Sequence, residues 1–159
     1  MDQAADLVGG LKGAAYRAPG PGPIGSVGGQ VRHLAEFLGN FLDGVVVGRV
    51  DYDDRARDAR VESDPARAGE TLLTLAARLR AEAWPSGTLE VRMDTGEEGW
   101  TASTVDRELR FLASHTVHHF AIVRLLLADS AVRMSPDFGI APSTLRHRRE
   151  GRVAAEAAE

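Results

Sequence analysis

The sequence predicts an all-α protein built as a four-helix bundle, and three observations lead there. Apolar residues recur at spacings of three and four along several long stretches. Clusters of proline and glycine separate those stretches by short or moderate connections. At 159 residues, with 43% hydrophobic and 26% charged, the chain has ordinary globular composition, enough length for one buried core and little room for a second domain.

Residues 1–17 form a short first helix weakened by Gly9, Gly10 and Gly13, and the run from Ala18 to Pro23, alternating proline with glycine, breaks it. Ser26 is the expected N-cap of a second helix, in which Val27, Val31, Leu34, Leu38, Phe41 and Val45 share one side as far as residues 43–47. Residues 48–64, GRVDYDDRARDARVESD, are dense in both charges, lack a steady period and read as an irregular connection. Asp64 and Pro65 are a favoured opening for a third helix, striped by Leu72, Leu75, Ala76 and Leu79 and ended at Trp84-Pro85-Ser86-Gly87. Leu89–Met93 alternates apolar with polar and, paired with Trp100–Ser103, supplies a small β-hairpin between helices three and four. The fourth helix, Ser103–Leu127, is capped by Ser103 or Thr104 and carries Val105, Glu108, Leu112, His115, His119, Ile122 and Leu126 on one side. After Asp129-Ser130 the chain reads as irregular, which makes residues 1–149 one domain and residues 150–159 a flexible tail.

Composition excludes several function classes. There is no cysteine, so disulfides, thiolate zinc sites, iron–sulfur clusters and cysteine nucleophiles are ruled out. Nineteen basic against 23 acidic residues give a net charge of -4, which argues against a nucleic-acid partner. Arg146, Arg148 and Arg149 form a short basic patch without aromatic company. The N-terminus has no continuous apolar core of a signal peptide, and the longest strongly apolar segment, Phe120–Ala128, is interrupted by Arg124 and too short to span a bilayer. The expectation is a cytoplasmic protein with no membrane partner.

Five histidines remain, three of them within residues 115–119. At about 100° per residue, His115 and His119 stand about 40° apart on the face that carries Leu112, Ile122 and Leu126. Imidazoles facing a core need partners for their ring nitrogens. One metal ion satisfies two at once, and hydrogen bonds to neighbours are the alternative. Another helix has to supply a third ligand, and His33, at the edge of the second helix's apolar arc beside Phe37, is the helical candidate. Three histidines plus water would leave an open position, which distinguishes catalytic from closed structural sites. Glu108, two turns before His115, is a candidate to orient a ring or move a proton, and His118, about 60° to the other side, is a flanking candidate for the same work. Tyr52, Arg55 and Arg57 could hold an anionic substrate if their connection folds over the site; the alternative is a solvated charge run paired with Asp51, Asp53, Asp54 and Asp58.

Two segments together resemble the DinB family, also called the DinB/YfiT-like metalloenzymes. Ser26-Val27-Gly28-Gly29-Gln30-Val31-Arg32-His33 is similar to the family's helix that ends in a histidine seven residues after a small cap, and Ser114-His115-Thr116-Val117-His118-His119 is similar to its His-x-x-His-His run. The likeness covers roughly residues 1–130. It implies an up-down-down-up bundle, often a homodimer, with a divalent metal held by His33, His115 and His119. It also implies a small-molecule substrate and, as in S-transferase and isomerase relatives, a low-molecular-weight thiol cofactor. Where many relatives continue Arg-Gly-Gln, this chain has Phe120-Ala121-Ile122.

The functional expectation is therefore a divalent-metal-dependent enzyme, a thiol-dependent transferase or a hydrolase, with zinc or nickel foremost and iron as a further choice. A bundle that binds a small ligand without turning it over, or a structural dimer whose histidines only hydrogen-bond, is the alternative.

Overall fold

The computed structural model describes residues 1–81, 84–93 and 99–156. The elements run α1 (Asp2–Gly9), α2 (Gly13–Arg17), a 3-10 turn at Gly22–Ile24, α3 (Val27–Val47), β1 (Arg49–Asp51), α4 (Ala59–Ser63), α5 (Pro65–Ala81), β2 (Thr88–Arg92), β3 (Thr101–Thr104), α6 (Val105–Leu126) and α7 (Pro142–Glu156). The chain is largely helical but is not a plain four-helix bundle: seven helices accompany a three-stranded mixed sheet among the described residues.

The long helices begin where side-chain chemistry allows. Ser26 Oγ accepts from the N–H of Gly29 at 3.0 Å and opens α3, which closes on Gly48 in the left-handed region at φ 75°. Thr104 Oγ1 accepts from the N–H of Arg107 at 3.2 Å and opens α6. Asp64 Oδ1 accepts from the N–H of Ala66 at 2.9 Å, with Pro65 at the first position of α5. The third helix and the two long helices that bear the histidines thus lie where the periodicity puts them.

Two departures from the bundle have physical reasons. Strand β1 pairs parallel with β2 (Val50 opposite Val91), and β2 pairs antiparallel with β3 (Leu89 opposite Ser103). The hairpin half of that sheet falls on the two alternating segments, and residues 94–98 between them lie outside the described residues. Strand β1 and the one-turn helix α4 arise from the charged stretch read as irregular. In β1 only Val50 is fully buried, so three residues carry no readable alternation. Helix α7 runs through the segment read as irregular and on past residue 150, into the expected tail. It has no apolar stripe to announce it, and arginine, glutamate and alanine favour the helix by propensity alone. At the other end, the expected first helix is two short helices, α1 ending at Gly9 and α2 starting at Gly13.

Helix α3 is the central element, packed against α2, α4, α5, α6 and β1. It lies antiparallel to α6, and the core divides along both. Leu34 to Val45 of α3 join Val105 and Leu112 of α6, with Tyr52, Leu75, Leu89 and Val91, in one apolar cluster. Val27 and Val31 of α3 join Val123 and Leu127 at the other end of α6 in a second. His33 on α3 and His115 and His119 on α6 fall between the two clusters in sequence, at the level where the halves meet. No helix among the described residues is long and apolar enough to cross a membrane.

The start of α3 is fixed by a close approach. A Cβ at Gly28 would stand 1.9 Å from the backbone oxygen of Glu62 in α4 and 2.8 Å from the Tyr16 ring, whose hydroxyl donates to the Val61 carbonyl at 2.7 Å. Gly28→Ala is therefore expected to lower stability by about 1–3 kcal/mol. At Gly39, where an added Cβ meets nothing within 4 Å, Gly39→Ala is expected to raise it by about 0.5–1 kcal/mol. Urea unfolding midpoints of the two variants check both signs.

Candidate metal centre

Three Nε2 atoms converge at the level where the core divides. Nε2 of His115 lies 3.1 Å from Nε2 of His33 and 3.1 Å from Nε2 of His119. The three ligand atoms all lie within 4.8 Å of one another, close enough to hold one metal ion. His33 comes from the second turn of α3, and the other two come from successive turns of α6, so the cluster joins the two helices. His119 is buried, whereas His33 and His115 keep part of their surface in solvent. The site is therefore reachable on the side of the last two.

A chain of hydrogen bonds fixes His119. Gln30 Nε2 donates to the carbonyl of Ile24 at 2.5 Å, which leaves Gln30 Oε1 as the acceptor facing the ring. His119 Nδ1 lies 2.6 Å from that oxygen and so carries the proton. Its Nε2 then presents a lone pair to the cluster, as a metal-ligating imidazole must.

Hydrogen bonds among the described residues leave the cluster mismatched. Arg55 Nη1 lies 3.0 Å from Nδ1 of His33 and can only donate, so the neutral His33 ring bears its proton on Nε2. That proton can go to Nε2 of His115, but then the lone pairs of His115 and His119 oppose each other at 3.1 Å. Reversing His115 sets two N–H groups against each other at His33 instead. A cation removes the mismatch between His115 and His119, because it takes both lone pairs at once.

Burial reinforces the neutral state. Desolvation, then the neighbouring His115 and the Arg55 guanidinium, push His33 down from 6.5 to about 4. Desolvation and the other imidazoles push His119 down to about 3, and desolvation with His118 lowers His115. Neutral imidazoles do not have to shed protons to accept a metal near neutrality. Phe37 supplies the floor: its ring stacks on His115 at 4.5 Å and lies tilted beside His33 at 4.5 Å.

The other expected site residues are placed as follows. His118 is exposed on α6, its ring 5.1 Å from His119 and 6.5 Å from His115. Glu108 is fully buried, and its oxygens accept from Tyr52 at 2.9 Å, Ser103 at 2.5 Å and Arg107 at 2.6 Å. The contact path from it to His115 runs through Tyr52 and Phe37, whose rings stack at 5.0 Å. Tyr52 is itself fully buried, with its hydroxyl on Glu108 and its ring stacked on Phe37. Arg55 does reach the histidines. Asp51 folds the segment with an Asx turn, accepting from the N–H of Asp53, and Asn40 on α3 clips it by donating to the carbonyls of Asp51 and Asp54 at 2.7 and 2.9 Å. Arg57 is exposed, with its backbone in the left-handed region at φ 51°.

Sequence reasoning missed Gln30 and Asn40 as contributors. Gln30 stands three residues before His33, almost one turn along α3, and that spacing is a signal that could have found it. Asn40 had none, because its partners are backbone carbonyls from another element.

No family model matches the chain, and no solved structure matches it. FK506-binding protein 5 of Rhizopus delemar is 26% identical to this chain over 108 residues, a match covering 64% of this chain and 28% of that relative. The chain thus spans little more than a quarter of the length of the curated relative it matches.

Gln30→Leu, which removes the acceptor for His119 Nδ1, is expected to weaken zinc binding by about 10–100-fold, with Gln30→Glu restoring most of it. Competition against a chromophoric chelator measures both. The depressed histidines set a second expectation. Between pH 6.5 and about 4 the unfolded chain takes up protons that folded His33 refuses, and for His119 the interval extends to about 3. Metal-free protein therefore loses stability as pH falls through that interval and is level above it. Urea midpoints at about pH 5 and about pH 7.5 check the sign, and His119→Gln should flatten the slope.

Proposed function

We propose that this protein is a divalent-metal-dependent enzyme of the DinB-like kind, acting on a small molecule either by thiol-dependent transfer or by hydrolysis. The observation that carries the reading is the convergence of three Nε2 atoms, 3.1 Å apart in two of the three pairs, on a site that stays open to solvent at His33 and His115. The resemblance of Ser26–His33 and Ser114–His119 to the DinB family's histidine segments points the same way.

His33, His115 and His119 would hold the ion. Three neutral imidazoles leave its positive charge undiminished, and when bound it would supply Lewis acidity that lowers the pKa of water or of a small-molecule thiol. The donor set suits zinc, nickel, iron or copper. With no cysteine in the chain, any thiol in the reaction comes from the bound molecule. Gln30 holds His119 in the ligating tautomer, and Phe37 excludes water from beneath. His118, exposed beside the pair, would pass protons to solvent.

Untagged protein stripped with chelator and titrated with zinc or nickel is expected to take up one ion per chain. His115→Ala or His119→Ala should cost more than the roughly 100-fold that the loss of a ligand's hydrogen-bond partner can cost. Turnover in a panel of thiol-conjugation and hydrolysis substrates, lost on adding chelator and regained with metal, would carry the enzymatic part. Wild-type protein that takes up no metal overturns the proposal. Metal uptake without turnover across the panel favours a ligand-binding protein.

A further inference from the structure

The three imidazoles cannot all act as ligands while the hydrogen bond between Arg55 and His33 holds, and the obstacle is Arg55. A guanidinium has donors and no acceptor, so the 3.0 Å contact between Arg55 Nη1 and His33 Nδ1 runs from arginine to histidine. The neutral ring is left with its proton on Nε2, the atom that faces His115. An ion needs a lone pair on that atom. The proton would then have to sit on Nδ1, directly against an Arg55 N–H. His119 is in the opposite state, its Nδ1 proton already held by Gln30. One ligand is preset and another is blocked.

The blocking group is delivered by a folded segment. The Asx turn at Asp51 and the Asn40 clip bring residue 55 to the histidines, and the side chain is half-buried there. Its Nε is buried and has no hydrogen-bond partner among the described residues, so the head group is held at Nη1 and has donor capacity unused at Nε. Leaving a buried donor unmet is costly, and an anion that accepts from Nε and a terminal nitrogen together would satisfy it.

We propose that Arg55 is a latch exchanged between His33 and an anionic ligand. In the metal-free protein it holds His33 in the tautomer that cannot ligate. When a metal loads, its guanidinium passes to a carboxylate or phosphate group on the molecule that takes the open side of the ion. The proposal rests on the three-histidine metal reading and adds to it the charge the ligand carries. Metal and anion then favour each other's binding, because each removes the obstacle to the other, and the coupling is reciprocal.

Three measurements test this. Long-range proton–nitrogen spectra of metal-free wild-type protein, labelled at histidine, should show His33 protonated on Nε2 and His119 on Nδ1. Zinc should bind Arg55→Ala about tenfold more tightly than wild type in anion-poor buffer, since the variant no longer has to vacate His33. With cobalt in the site, acetate followed by visible absorption should bind wild type about tenfold more tightly than Arg55→Ala. Protonation of His33 on Nδ1 in the metal-free protein overturns the latch, and so does equal or weaker zinc affinity in the variant. Equal acetate affinity overturns the anion exchange. Failure of both proteins to bind zinc or cobalt overturns the metal reading itself, an outcome distinct from the other three.

Discussion

The antiparallel contact between α3 and α6 carries a polar layer in the middle of an apolar core, and the rest of the structure is arranged around that layer. Buried imidazoles must find partners for their nitrogens or cost free energy. Here three imidazoles, one buried and two partly exposed, turn the same ring atom toward one point, where hydrogen bonds among the described residues leave one contact mismatched. The apolar clusters on either side hold the two helices in register. Gly28, pressed against the Glu62 carbonyl, fixes how closely the start of α3 approaches α4, and two residues on Gln30 reaches the ring of His119.

The additions to the helical frame serve the same layer. Strand β1 extends the hairpin, and the chain leaving it is turned by Asp51 and clipped by Asn40. That path puts Tyr52 under the site and Arg55 beside it. Tyr52 closes on Glu108, a fully buried carboxylate in the first turn of α6 that also accepts from Ser103 and Arg107. A carboxylate there is favoured by the helix dipole and ties the β-hairpin end of the core to α6. The charged stretch after α3, whose sequence has no steady period, thus contributes a buried ring, a guanidinium beside His33 and a strand.

What could be read from the sequence follows from which forces act locally. Periodicity located α3, α5 and α6, because their buried faces repeat every three or four residues, and Ser26, Thr104 and Asp64 announced their starts. The same wheel arithmetic put His115 and His119 on one face and nominated His33. Strand β1 was illegible because a three-residue strand with one buried side chain has no period, and its partner residues lie 41 positions further on. Helix α7 was illegible because none of its side chains among the described residues is buried. The tautomer of each ring was also out of reach, since Gln30 and Arg55 act through atoms that only the fold brings together.

The central claim is that His33, His115 and His119 form one metal centre with an open position. X-ray absorption at the zinc edge of stoichiometrically loaded protein tests it most directly. The account predicts a nitrogen and oxygen shell at about 2.0 Å, with the multiple scattering of three imidazoles and one further light ligand. Imidazole scattering should fall in His115→Ala. A shell of carboxylate or solvent oxygens without imidazole, or protein that retains no zinc, would contradict it.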